Sequence, residues 1–163
     1  MAEYVVDTNV WVMVDFDVST ATLEELDCAT GCRRWLREFI NGTDKLVVDL
    51  DYKIIREYRD NIAKGGLANQ WLNRLETQPR DLRLIELQIQ YDEYGFGIVP
   101  PEVAIHDLKD RKWVAVALAH KPTPPIVNAT DPDWTEDKAM LAEVGIQVQE
   151  LCAAYIQLKL SAK

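Results

Sequence analysis

The 163-residue sequence predicts a single three-layer α/β/α domain, residues 1–163, with a mostly parallel central sheet. Short β-type apolar runs alternate with stretches of helical periodicity, and no internal repeat, low-complexity tract or long Pro/Gly/Ser linker separates them. A parallel sheet covered on both faces by helices produces this alternation. With 48% hydrophobic and 28% charged residues, the chain holds enough apolar material for one sizeable core.

In chain order, the first strand is expected at Tyr4–Val6, ahead of a new helix. The helix Thr22–Ile40 opens on Thr22-Leu23-Glu24-Glu25, a capping-box pattern, and ends at Asn41-Gly42. A strand at Leu46–Val48 leads into a helix from about Leu50 to Lys64, stopped by Gly65-Gly66. The next helix covers Leu67–Thr77 before Pro79, and Leu82–Ile89 reads as a further strand. Tyr94–Pro101 (YGFGIVPP) is a loop on its glycines and prolines. Helical spacing returns at Asp107–His120, a strand follows at Ile126–Asn128, and a helix starts at Thr135. A strand at Ile146–Val148 and a helix near Cys152–Leu160 complete the order.

Bulk properties restrict the function classes. No apolar run reaches the roughly 18 residues of a membrane-spanning helix, and MAEYVVD contains no basic leader ahead of a hydrophobic stretch, so a cytoplasmic protein is expected. The cysteines are Cys28, Cys32 and Cys152; an odd count without an export signal predicts reduced thiols rather than a disulfide. With His106 and His120 the only histidines, a zinc site lacks ligands. The net charge of −9 opposes a phosphate partner at first sight, yet it is unevenly spread: −7 over residues 1–32, zero over 33–112 and −2 over 113–163. A phosphate-facing surface is therefore expected from the middle segment, where Arg56, Arg59, Lys109, Arg111 and Lys112 lie.

Several carboxylates stand where structure alone does not ask for them. Ligand sites of open parallel sheets form beyond the carboxyl ends of the strands, and Asp7 directly follows the first strand, ahead of Thr8 and Asn9. It reads either as a helix N-cap or as a ligand. On a helix of about 100° per residue, Asp110 falls between Trp113 and Val114 with Ala117 alongside, in the middle of an apolar face. A carboxylate buried there must be neutralised, paired or bound to a cation. Asp107, one turn earlier, fits an N-cap. Glu57 borders the stripe of Leu50, Ile54, Tyr58 and Ile62, and reads as a solvated helix acid or as a second ligand. Asp131 and Asp133 follow the strand ending at Asn128, in a turn that can also cap the next helix. Asp7, Glu57, Asp110 and Asp131 could all open onto one sheet edge, where like charges repel unless a hard cation is present. Oxygen-only ligation selects Mg²⁺ or Mn²⁺ over zinc.

Four segments resemble the PIN-domain nucleases, a family that includes toxin ribonucleases of bacterial toxin–antitoxin pairs. They are V-V-D-T-N-V-W (Val5–Trp11), I-I-R-E-Y (Ile54–Tyr58), D-R-K-W-V-A-V-A-L-A (Asp110–Ala119) and N-A-T-D-P-D-W (Asn128–Trp134), in family order across nearly the whole chain. The resemblance implies a PIN-like fold and a metal-dependent endoribonuclease that leaves a 5′-phosphate and a 3′-hydroxyl. Asp7, Glu57, Asp110 and Asp131 would be its catalytic, metal-holding acids, Asp133 an accessory ligand, and Thr8 and Asn9 supporting hydrogen-bonders. It also admits a small antitoxin partner and a homodimer. Two departures weigh against the narrower toxin assignment: Ala129 stands where the family often has Thr, and Tyr94–Pro101 looks like an added loop.

Trp11, Trp113 and Trp134 flank the motifs and are read as core residues before base-stacking ones. Competing functions are a non-catalytic PIN-fold module that binds RNA or protein, and a DNA or structure-specific nuclease. A phosphatase of the haloacid dehalogenase type needs a second Asp two residues beyond the first, where this chain has Asn9.

Overall fold

The computed structural model describes residues 1–163, apart from the side chains of residues 80 and 81. Its elements are β1 (Glu3–Val6), α1 (Thr8–Val12) extended by a 3₁₀ turn at Met13–Asp15, α2 (Leu23–Asn41), β2 (Lys45–Asp49), α3 (Lys53–Asn61), α4 (Leu67–Thr77) and α5 (Arg80–Arg83). There follow β3 (Leu84–Leu87), a 3₁₀ turn at Leu108–Asp110 running into α6 (Arg111–Ala119), β4 (Ile126–Asn128), α7 (Pro132–Glu143), β5 (Val148–Glu150) and α8 (Ala153–Ser161). Among the described residues the strands form one parallel sheet in the order β3-β2-β1-β4-β5, a three-layer α/β/α arrangement. The chain builds outward from β1 through β2 to β3, then crosses back to lay β4 on the other side of β1. The strand order therefore reverses between β1 and β4, the place where open parallel sheets leave a crevice at their carboxyl ends.

The central strands are apolar on both faces, as a covered parallel sheet demands: Val5, Val6, Leu46, Val47, Ile126 and Val127 have no exposed surface. Trp11, Tyr58 and Trp113 form a ring column beneath the carboxyl end, with centroids 5.2 Å and 5.8 Å apart. Trp134 is buried as well, so all three motif tryptophans pack rather than present faces to bases. Among the described residues no helix is long and apolar enough to cross a membrane.

Local chemistry explains most element boundaries. At α2 the Thr22 hydroxyl accepts from Glu25 N and the Glu25 carboxylate accepts from Thr22 N, completing the capping box. The third helix begins at Lys53 rather than Leu50, because Tyr52 takes a left-handed φ of 67° and the buried Asp49 carboxylate accepts from Lys53 N at 2.9 Å and Ile54 N at 2.8 Å. Asp15 likewise caps α4 through Leu67 N and Ala68 N. The final strand is Val148–Glu150, two residues beyond the expected Ile146–Val148, since Gly145 (φ 84°) turns the chain out of α7 and pairing starts at Val148 opposite Ile126.

The Tyr94–Pro101 loop folds back on itself, with Tyr91 bridged to Gly97 and the Asp92 carboxylate accepting from Tyr94 N and Phe96 N. It rests on the start of α6. A Cβ at Gly97 would lie 2.8 Å from Lys112 Cα and Lys112 N, an approach only glycine permits.

The expectation of reduced thiols is overturned: Cys28 and Cys152 are joined in a disulfide across 124 residues of sequence. The return of the chain through β5 sets Cys152, at the head of α8, against α2, and sequence spacing carried no sign of that contact. Cys32 remains free and buried, and burial pushes its thiol up to about 12.

Candidate functional site

A cleft of about 430 Å³ opens at the carboxyl ends of β1 and β4. Asp7, Thr8, Asn9, Glu57, Asp110 and Asp131 all line it, so residues 124 positions apart in sequence meet where the strand order reverses. Asn61, Thr130 and Lys159 complete the polar lining.

Each acid is held differently. Asp7 is almost wholly buried and caps α1, its Oδ1 accepting from Asn9 N at 2.9 Å and its Oδ2 from Trp134 Nε1 at 2.5 Å. Its role as an N-cap is thus real, but the cap uses one oxygen and leaves the group on the cleft wall. Asp131 caps α7 through Asp133 N at 2.9 Å. Glu57 projects from α3, where Oε1 accepts from the Thr8 hydroxyl at 2.7 Å and Oε2 faces Lys112 Nζ at 2.6 Å. Asp110 lies at the junction of the 3₁₀ turn with α6 rather than inside the expected continuous helix. Its half-buried carboxylate has no hydrogen bond among the described residues.

An amide cross-link ties together the two segments that carry Asp7 and Asp131. Asn9 Nδ2 donates to Asn128 Oδ1 at 2.9 Å, and Asn9 Oδ1 accepts from Ala129 N at 2.8 Å. Asn128 then donates to Asp131 O at 2.8 Å and accepts from Asp131 N at 3.2 Å. The turns after β1 and β4 are thereby locked together, which fixes Asp7 relative to Asp131. Tyr58 secures the same corner by donating its hydroxyl to Val6 O.

Burial first, and then the neighbouring acids, shifts the protonation of these groups. Burial raises Asp7 to about 6, with Asp131 and Glu57 adding to the rise and the Asn9 and Trp134 hydrogen bonds opposing it. Asp110 is raised to about 8, first by burial and then by Asp7, Asp131 and Asp107, while Lys112 opposes. Asp131 is also raised, mainly by burial. Near neutral pH the cleft therefore retains a proton on Asp110 unless a cation takes its place.

The remaining expected site residues lie elsewhere. Asp133 is off the cleft lining and faces Lys163 Nζ at 3.5 Å. Of the cations expected to meet phosphate, Lys112 is buried in its ion pair with Glu57 and donates to Lys109 O. Arg59 is bound to Glu76 and to Asn69 Oδ1. Arg56 and Lys109 are exposed and Arg111 is half-buried; none of the three lines the cleft. A separate groove of about 370 Å³ carries Arg33, Arg34 and Arg37 of α2 beside Trp71 of α4, and Arg34 and Arg37 are exposed there.

Sequence reasoning passed over Asn128, Trp134 as the donor to Asp7, and Lys159. An asparagine ending the apolar run Ile126-Val127 was itself a signal, because a buried amide must be satisfied by something specific. Lys159 gave none: it reaches the cleft only because α8 folds back, where its Nζ donates to Thr130 O at 2.7 Å. Comparisons with protein-family models, curated proteins and solved structures found no match.

Proposed function

We propose that this chain is a metal-dependent ribonuclease of the PIN type, hydrolysing RNA phosphodiester bonds with Mg²⁺ or Mn²⁺. One observation carries the reading: Asp7, Glu57, Asp110 and Asp131, drawn from four separate segments, line one cleft at the reversal of strand order, with Asp110 half-buried and without a hydrogen bond among the described residues. Helix capping alone asks for none of that convergence. The donor set fits a hard cation, being all oxygen. Among the described residues no three of these carboxylates bring donor atoms within 4.8 Å of one another. Such spacing suits a cation that uses few carboxylates directly and keeps several waters, as Mg²⁺ does.

A cation bound there would supply positive charge to a phosphoryl oxygen and acidity to water. The chain's own groups do the rest. Asn9 N and Trp134 Nε1 fix the Asp7 carboxylate, and Thr8 and Lys112 fix Glu57, so the acids need no reorganisation when substrate arrives. Lys159, on the cleft wall, offers a positive charge to a phosphate oxygen, and the exposed Arg34 and Arg37 give an acidic chain a further place to hold RNA backbone. Small RNA substrates should be cut in Mg²⁺ or Mn²⁺, with EDTA stopping the reaction and Asp7→Asn abolishing it in folded protein.

The ion pair between Glu57 and Lys112 favours a second reading, a PIN-fold module that binds RNA without cutting it, because a protein cation already neutralises one of the acids. RNA retention without metal-dependent cleavage would select that reading. The narrower role of a toxin with a small antitoxin partner rests on the sequence resemblance, and growth arrest on expression, relieved by a neighbouring gene product, is its test.

A further inference from the structure

Away from the acidic cleft, α2 and the start of α8 bring the three cysteines into one buried group, with the sulfurs of Cys28, Cys32 and Cys152 all within 4.8 Å of one another. Cys28 and Cys32 are one turn apart on α2 and so share a face. Cys152 is the residue before α8, and its neighbour Leu151 passes α2 at Gly31, where an added Cβ would lie 3.8 Å from Leu151 O. A disulfide needs two of these residues, and the third is unexplained by it. Cys32 Sγ is nevertheless 3.9 Å from Cys152 Sγ. Tetrahedral zinc, with Zn–S near 2.3 Å, sets its sulfurs about 3.8 Å apart.

We infer that reduction of the Cys28–Cys152 disulfide opens a three-thiolate site for one soft divalent cation, zinc or cadmium, bound by Cys28, Cys32 and Cys152. A surface crevice of about 140 Å³, lined by Cys28 and Cys152 with Glu24, Asp27 and Tyr155, leads to the group from outside. It gives a cation a path in and leaves room for a water or carboxylate as fourth ligand. The electron balance is simple. A phosphine reductant and one water convert the disulfide into two thiols and a phosphine oxide; three thiols then release three protons as the cation binds.

The test uses the full chain, reduced by a phosphine, desalted without oxygen and titrated with Cd²⁺. One equivalent should bind with a thiolate-to-metal charge-transfer band, which the carboxylates of the cleft cannot produce. The oxidised chain should show no such band. Cys32→Ser keeps the disulfide pair, and in its reduced form, with one of three ligands gone, affinity should fall by at least the roughly 10–100-fold that loss of a mere outer partner costs. A reading in which the cysteines serve only as a disulfide plus a packed thiol expects no band at all. Alkylation of the reduced parent protein gives a second readout that needs no variant: Cd²⁺ should slow modification of all three thiols. Absence of the band, equal binding by Cys32→Ser, or unchanged alkylation each overturns the site.

Discussion

Asn9 Nδ2 donates to Asn128 Oδ1 at 2.9 Å, joining the first turn of α1 to the end of β4 across 119 residues of sequence. Both amides are saturated by backbone on their other sides, so the bond is one link of a closed network rather than an isolated contact. It makes the acidic cleft a property of the fold, because Asp7 and Asp131 flank its two ends.

Breaking that network should cost stability and geometry together. Asn128→Ala strips an acceptor from Asn9 and Asp131 N and a donor from Asp131 O. Groups left unsatisfied in a buried setting cost about 1–3 kcal/mol. Urea unfolding should show a lower midpoint at an unchanged slope, and RNA cleavage should fall while Asp7 itself remains in place. An unaltered midpoint would mean water replaces the amide without loss.

Asp110→Asn separates stability from function. The acid has no hydrogen bond among the described residues, and its ionised form is disfavoured by burial beside Asp7 and Asp131. Without added metal, the thermal midpoint at neutral pH should hold or rise, while cleavage drops by about 10²–10³-fold or more. A clear fall in the midpoint would instead make Asp110 a structural residue.

Stability without metal should decline as pH rises. Asp7 and Asp110 are raised from 3.8 to about 6 and about 8, so between these values the folded chain holds more protons than the unfolded one. Their contribution is complete below about pH 4 and is lost as pH climbs through about 6 and then about 8. Mg²⁺ should flatten this decline, since it replaces the protons, and Asp110→Asn should remove its upper part. Unfolding curves at successive pH values, with and without Mg²⁺, check both; a slope indifferent to the substitution would refute the assignment.

Gly97 tests whether the loop positions the site. A Cβ there would fall 2.8 Å from the backbone of Lys112, two residues after Asp110. Gly97→Ala should destabilise the chain by about 1–3 kcal/mol through overpacking and lower cleavage by shifting the head of α6. Wild-type stability in this variant would show that the loop yields freely.

Much of the fold was legible because apolar period and capping chemistry agree locally. The Thr22 capping box, the helix Leu67–Thr77 and the strand ending at Asn128 all lie at or within a residue of where the chain adopts them, whereas the third helix ends at Asn61, short of the expected Gly65-Gly66 stop. Misplaced boundaries came from local features that apolar period does not reveal: Asp49 delays the third helix by capping it, and the left-handed turn at Gly145 moves the last strand outward. The acids of the cleft were legible for a related reason, since a carboxylate at a strand end or on an apolar face conflicts with its surroundings. Cations behaved differently. Nothing local distinguishes Lys112, buried against Glu57, from exposed Arg56, and Lys159 reaches the cleft only through α8. The cysteines failed for the same reason, because Cys152 meets α2 only in the folded chain.

Anomalous scattering from crystals grown or soaked in Mn²⁺ tests most directly whether the four acids serve one cation. A peak inside the cleft, among Asp7, Glu57, Asp110 and Asp131 and lost in Asp110→Asn crystals, is the expected result. Mn²⁺ absent from the cleft in well-ordered crystals at neutral pH, or retained without Asp110, would contradict it.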